Sequence, residues 1–280
     1  MANLFMRFPG GVGKCLTLSY DDGVCNDRRL IKLMQDKGLR GTFNINSGEY
    51  ADRDYDDFTT THRRLTREAA LELYGSTDFE IATHAVTHPF LEQLPAAACT
   101  YEILRDRRSI EMDYGRLVRG FAYPFGTFSD EVVNSLRACG IVYGRTVWSS
   151  HSFDVPKNER EWLLLKPTCH HGDERLPELT ERFVNEQPGS APWFFYLWGH
   201  SYEFDFNNNW NIIETFADRV GGRDDIWYAT NIEAYDYIAA YRSLIFNADM
   251  TLVKNPSATD LWFEYDRKTV CVKAGETLKL

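Results

Sequence analysis

Two carboxylates stand side by side in the run Ser19-Tyr20-Asp21-Asp22-Gly23, and two imidazoles, His84 and His88, stand four residues apart in THAVTHP. An i, i+4 histidine pair faces one side if the segment turns helically, as metal ligands do on a helix. Asp21 or Asp22 would complete a set of two histidines and one carboxylate. Three protein ligands with an open position for water form the pattern of a catalytic zinc site, and the same donors suit non-haem iron(II). Two neighbouring carboxylates should not both bind one small ion. One would hold the metal, and the other would act as general base toward water. Arg119 would keep that base ionised through a bidentate pair. His200 would then be the general acid for a leaving group. The plainer reading of Asp21-Asp22-Gly23 is a turn before a helix.

These residues lie far apart in the chain, so regular elements must bring them together. Short runs rich in β-branched and aromatic residues predict strands at 15–20, 40–45, 78–83, 118–122, 141–147, 193–198 and 226–230. Helical spacing predicts helices at 27–37, 67–74, 95–114, 130–139, 178–187, 210–219 and 232–246. Thr66, Ser129 and Asn231 stand at N-cap positions, and Gly38, Gly75, Gly115 and Gly140 at the stops. Strands that alternate with helices read as βα units, hence a parallel sheet or barrel. Two long irregular stretches, 46–65 and 148–177, interrupt the pattern. Loops of that length in a compact domain carry function or move. Beyond residue 246 the chain shows strand-length alternation and turn residues but no helix. This divides it into a barrel, 1–246, and a small C-terminal β extension, 247–280.

On this frame Asp21 and Asp22 follow the first strand, His84 and His88 the third, Tyr123 the fourth and His200 the sixth, with Arg119 inside the fourth. Parallel βα architectures gather their chemistry at the C-terminal ends of the strands. Polar groups from four strands therefore converge on one face.

The chain of 280 residues carries 31 Lys and Arg against 41 Asp and Glu, a net charge of −10. That balance argues against a phosphate-backbone partner, which needs a basic footprint. No apolar run is long enough to span a membrane. The start MANLFMRFPGGVGK has no secretory h-region or small-residue cleavage site, so a cytoplasmic protein is expected. The six cysteines form no CxxC pair and read as buried small hydrophobes of a reducing compartment.

The motifs SYDDG (19–23), THAVTHP (83–89), RGFAYPFG (119–126) and LWGH (197–200), in this order, resemble those of the polysaccharide deacetylase (NodB-homology) family. The resemblance covers roughly residues 14–240. It implies a distorted (β/α)7 barrel and metal-dependent removal of acetyl groups from N- or O-acetylated carbohydrate. Carried over by position, it implies Asp21 as catalytic base and Asp22, His84 and His88 as metal ligands, with zinc, cobalt or another divalent ion. It further implies Arg119 as the residue tuning the base, the Tyr123 backbone N–H as oxyanion donor and His200 as general acid. Some positions depart from the family pattern. Ser19-Tyr20 stands for Thr-Phe, and Ala85 for Ser or Thr. Trp198 and Gly199 occupy positions near His200 where Leu is usual, which alters the pocket for the acetyl methyl. No counterpart of the family's Asp- and Trp-bearing motif occurs in 146–170, so His200 has no assigned partner.

Other candidates surround this set. His170 and His171 are adjacent, and in an extended segment only one would face the site. They read as substrate contacts or surface, with a second metal site as the sharper alternative. His62 and His151 read as surface or packing residues. Trp148 or Trp162 could line a carbohydrate groove, while Trp193 and Trp227 read as core. The run HSYEFDFNNNW (200–210) either orients His200, binds sugar hydroxyls or caps the next helix. Three competing functions remain: an iron oxygenase on the same triad, which the βα pattern disfavours; a non-catalytic carbohydrate-binding protein on the same scaffold; and a deacylase of a small non-sugar amide. The β extension either covers a sheet edge or builds a contact with a second copy of the chain.

Overall fold

The computed structural model describes residues 3–53 and 62–280; the part of the 46–65 insertion at 54–61 lies outside the described residues. The parallel strands are β1 (Lys14–Asp21), β2 (Gly41–Ile45), β3 (Glu80–Thr83), β4 (Gly120–Ala122), β5 (Tyr143–Arg145), β6 (Cys169–His170), β7 (Trp193–Gly199) and β8 (Ile226–Tyr228). Their order is β5-β4-β3-β2-β1-β7-β6, and β8 pairs with the first half of β1. The sheet curls toward closure through residues 165–168. Leu165 N–H donates to Gly144 O and Thr168 N–H to Tyr196 O, each at 2.8 Å. This is a distorted (β/α)7 barrel.

The helices are α1 (Asp27–Asp36), α2 (Arg67–Gly75), α3 (Ala96–Tyr114), α4 (Asp130–Ala138), α5 (Glu159–Leu163), α6 (Leu176–Asn185), α7 (Tyr202–Phe206), α8 (Asn211–Val220) and α9 (Asn231–Arg242). Thr66 and Ser129 cap α2 and α4 through their side chains, as their types predict. The cap of α9 is Thr230, in a capping box with Glu233, rather than Asn231. Asn231 instead turns into the barrel, where it accepts from the Thr17 hydroxyl and donates to that of Tyr196, both at 2.8 Å.

Strand β1 is buried along its whole length, as a strand covered on both faces must be. Its side chains alternate with a period of two. Leu16, Leu18 and Tyr20 join the apolar cluster containing Leu30 and Ile213 from α1 and α8. Ser19 and Asp21 lie on the other face, where both contact the Asn44 amide at 2.8 Å. The register therefore aims Asp21 into the barrel.

The C-terminal residues form two three-stranded antiparallel sheets. One takes a strand from the N-terminus: Leu4–Arg7 pairs with Leu261–Tyr265, which pairs with Lys268–Val272. The other joins Ile245–Phe246, Leu252–Lys254 and Thr277–Lys279. The Tyr237 hydroxyl of α9 donates to Arg7 O and accepts from Trp262 N–H, binding this layer to the barrel. Five of the six cysteines are buried and Cys271 is half-buried; none forms a disulfide. Among the described residues no helix is long and apolar enough to cross a membrane.

Candidate active site

At the C-terminal ends of the strands a cavity of about 400 Å³ is walled by residues of several βα units. Asp21 and Asp22, consecutive in sequence, both face it. An extended backbone would send them to opposite sides. Asp22 instead takes φ +85°, which turns the chain at the strand end. His84 and His88 reach the same cavity without a helix. The segment between β3 and the next helical turn is irregular, and Ala85 (φ +64°) and His88 (φ +53°) are left-handed. That geometry replaces the expected helical turn and brings the two rings to 4.7 Å between centroids.

The Nε2 atoms of His84 and His88 each stand 3.9 Å from Asp22 Oδ1. That is too long for a hydrogen bond, and short enough for one ion about 2.0–2.2 Å from each donor. The donor atoms of Asp22, His84 and His88 lie within 4.8 Å of one another. His84 Nδ1–H donates to Ala122 O at 2.7 Å, so the Nε2 lone pair is left toward the cavity. A backbone carbonyl behind a histidine is the usual outer support of a metal ligand. Asp106, buried in α3, braces the same residue by accepting from His84 N–H at 3.2 Å and Ser47 N–H at 2.7 Å. Burial pushes the His84 imidazole down to about 4 and lowers His88 as well, so both are neutral near pH 7. The donor set therefore fits a divalent metal.

Asp22 is also held by two residues from the 46–65 insertion. His62 Nε2 is 3.0 Å and an Arg64 guanidinium nitrogen 3.1 Å from its carboxylate. Burial would raise Asp22, but the His62 hydrogen bond and the Arg64 charge overcome it and hold the carboxyl well below the usual range. Arg64 is placed by pairing of residues 63–65 with 23–25: Cys25 N–H donates to Arg63 O and Leu65 N–H to Gly23 O. The reading of His62 as surface or packing thus misses a contact that depends on this non-local pairing.

Arg119 is not in the site. It precedes β4, at the N-terminal end of the barrel, and its guanidinium binds Asp236 on α9. Arg145, the last residue of β5, stands at the chemical end instead and pairs with Asp21. Its guanidinium carbon lies 4.3 Å from the centre of the Trp198 ring. Both partners of the ion pair are buried. Burial works to raise Asp21, but Arg145, with His84 and His200, holds it below the ordinary carboxylate range. The strand-end rule applied to 141–147 could have found Arg145.

Tyr123 lines the cavity, but its backbone N–H is committed. It donates to Arg145 O at 3.0 Å, continuing the β4–β5 ladder, and so is not the free oxyanion donor that the resemblance implies. Trp198 is buried and lines the cavity beside His200.

His200 Nε2 stands 3.9 Å from carboxylate oxygens of both Asp21 and Asp22. Its Nδ1–H donates to Glu203 Oε1 at 3.2 Å. His170 and His171 both approach Glu203, each with Nε2 at 3.0 Å from Oε2. The expected opposite facing fails because β6 ends at His170 and the chain turns there. His151 binds Asp173 at 2.7 Å. Burial opposes a proton on His200, but Glu203, Asp21 and Asp22 together raise its pKa above the ordinary value.

Residues 10–144 match the family model described as polysaccharide deacetylase. That match spans a little under half of the chain, the part that carries Asp21, Asp22, His84 and His88. No curated protein matches it. Among solved structures, a family 4 carbohydrate esterase from Streptomyces lividans, determined with acetate, is 16% identical; the match covers 77% of this chain and 91% of that one, with a TM-score of 0.50. The Xyl-CE4 domain of a multidomain xylanase from the hindgut metagenome of Trinervitermes trinervoides is 12% identical, with 81% and 92% covered and a TM-score of 0.52. BA3943 from Bacillus anthracis, described as a CE4 family pseudoenzyme, is 16% identical, with 82% and 67% covered and a TM-score of 0.47. At these identities the two likenesses of TM-score 0.50 and above concern the fold.

Proposed function

We propose that this chain is a polysaccharide deacetylase, a metal-dependent hydrolase that removes acetyl groups from an N- or O-acetylated carbohydrate. The observation that carries the reading is the meeting of a base, a donor triad and an acid in one cavity. Asp21, paired with Arg145, lies 3.9 Å from His84 and from His200, and Asp22 lies 3.9 Å from His84, His88 and His200. A sugar-binding role alone does not call for that combination.

Asp22, His84 and His88 would hold the ion, most suitably zinc given one carboxylate and two imidazoles. When bound, it supplies Lewis-acid polarisation of the acetyl carbonyl and acidifies water. The remaining chemistry belongs to this chain. The Arg145 charge keeps Asp21 ionised and able to accept a proton. The water oxygen bonds to the acetyl carbon while its proton passes to Asp21. The bond from that carbon to the sugar nitrogen or oxygen then breaks, and the leaving atom keeps the electron pair. That atom takes a proton from His200 Nε2. Acetate and the free amine or alcohol depart, Asp21 releases its proton to solvent and His200 regains one.

The test is acetate release by zinc-loaded protein from an N-acetylglucosamine tetramer, an O-acetylated xylo-oligosaccharide and a small N-acetyl amide. Release from either carbohydrate, falling by about 10²–10⁴ in Asp21→Asn, is the expected result. Release from the amide alone would replace the carbohydrate by a non-sugar substrate. No release from any of the three would contradict the hydrolase reading.

A further inference from the structure

We propose that Glu203 is the positioning residue of His200, and that His170 and His171 in turn fix Glu203. The proposal rests on the reading of His200 as the general acid. Glu203 lies three residues after His200, on α7, and returns its carboxylate to that ring. Oε1 accepts from His200 Nδ1–H at 3.2 Å, and Oε2 is met by the Nε2 atoms of His170 and His171 at 3.0 Å each. Oε1 is hydrogen-bonded, while Oε2 sits at ion-pair distance from two imidazoles without hydrogen-bond alignment. Three imidazoles thus surround the carboxylate, and its hydrogen-bonded oxygen is the one turned to His200.

The outer residues are fixed as well. His170 Nδ1 accepts from Gly172 N–H at 3.0 Å, so the ring's proton sits on Nε2, the nitrogen that lies 3.0 Å from Glu203 Oε2. The same tautomer argues against a second metal ion at His170, His200 and Glu203, although their donor atoms lie within 4.8 Å. An ion there would need the Nε2 lone pair that this proton occupies. His171 is buried against Phe204, with ring centroids 4.1 Å apart, and lies so close to Gly199 that a Cβ there would overlap its Nδ1. Phe204 and the Gly199 backbone thus flank the ring.

The consequence is a set tautomer for His200. Nδ1–H goes to Glu203, and Nε2 is the atom presented to the cavity. A proton on Nε2 can pass only to a leaving group on that side, and the geometry is kept by a short segment of chain after β7.

The test compares two acetylated substrates in zinc-loaded protein. The amine leaving from an N-acetylglucosamine tetramer needs a proton; the 4-nitrophenolate leaving from 4-nitrophenyl acetate does not. Glu203→Gln should lower kcat on the tetramer by about 10–100-fold, part of the 10²–10⁴ that a well-placed general acid contributes, with KM within about twofold. It should leave 4-nitrophenyl acetate turnover and zinc content unchanged. His170→Gln, a milder change, should lower tetramer turnover by a smaller factor in the same direction. An equal fall on both substrates, or none on either, overturns the proposal. Long-range ¹H–¹⁵N spectra of the histidines need no turnover and so separate this proposal from the hydrolase reading. In its neutral form at high pH, His200 should be the Nδ1–H tautomer in the wild type and lose that state in Glu203→Ala. An unchanged tautomer in Glu203→Ala, or a second equivalent of zinc lost in His170→Ala, overturns it.

Discussion

Arg145 and Asp21 face each other from the ends of β5 and β1, strands four places apart across the curled sheet, and form a fully buried ion pair. The pair exists because each residue ends its strand at the same rim of the barrel. Removing one partner leaves a bare charge in the interior, which typically costs about 3–5 kcal/mol. Arg145→Met should therefore destabilise the fold by that order and raise the Asp21 carboxyl. The acid limb of the rate profile should move to higher pH. Arg119→Ala, which removes a contact with a half-exposed partner, should leave rate and profile unchanged. Thermal melts and pH–rate profiles of the two variants provide the check; equal effects would contradict the assignment.

Metal occupancy should be insensitive to pH over a wide range. Ligands must be deprotonated to bind. Burial holds the His84 imidazole at about 4, His88 is also lowered, and Asp22 is held well below the carboxylate range. Zinc retained in equilibrium dialysis should thus hold through the ordinary histidine value of about 6.5 and fall only at lower pH, with loss complete as His84 protonates near 4. Loss centred near pH 6.5, the value of an ordinary histidine, would show that burial does not tune these rings.

Asp27 offers a pH test of stability. It is buried beneath Ser201 and Tyr74, whose hydroxyls both donate to it. Burial pushes its carboxyl from 3.8 to about 7. Between those values the folded chain keeps a proton that the unfolded chain has lost. The stability carried by this group is thus full below pH 3.8 and is lost as pH rises to about 7, at up to about 1.4 kcal/mol per unit. Asp27→Asn carries no such loss, so its melting temperature relative to wild type should rise from pH 5 to pH 8. A constant difference across that range would contradict the burial argument.

Gly199 is the only residue type that fits beneath His171. A methyl there would overlap the His171 ring. Gly199→Ala should destabilise by about 1–3 kcal/mol, as overpacking does, and shift the His171 ring signals. A neutral melt with unchanged signals would mean that the ring moves freely.

The sequence pattern carried the alternation of strands and helices, because buried parallel strands and capped helices leave local marks. It also brought Asp21, Asp22, His84, His88 and His200 to one rim, through a rule about strand ends. It failed where the decisive fact was non-local or lay at the limits of an element. Arg119 lies inside the predicted strand 118–122, yet the actual strand begins after it, at Gly120, which puts Arg119 at the wrong end. Arg145 was hidden because the predicted strand ran two residues too far. Tyr123 N–H was spent on the ladder with β5. His62 and Arg64 depend on pairing between residues 63–65 and 23–25, which no local pattern announces. Glu203 lay in a run whose amides and acids suit orientation of His200, sugar binding and helix capping equally; distances alone separate those roles.

The most direct test of the account is the zinc content of the purified protein by elemental analysis, beside the double variant His84→Ala/His88→Ala. The account predicts about one equivalent in the wild type and almost none in the variant, as a single-ion catalytic site requires. A wild type that stays metal-free after incubation with zinc, cobalt and iron, or a variant that keeps its equivalent, would contradict it.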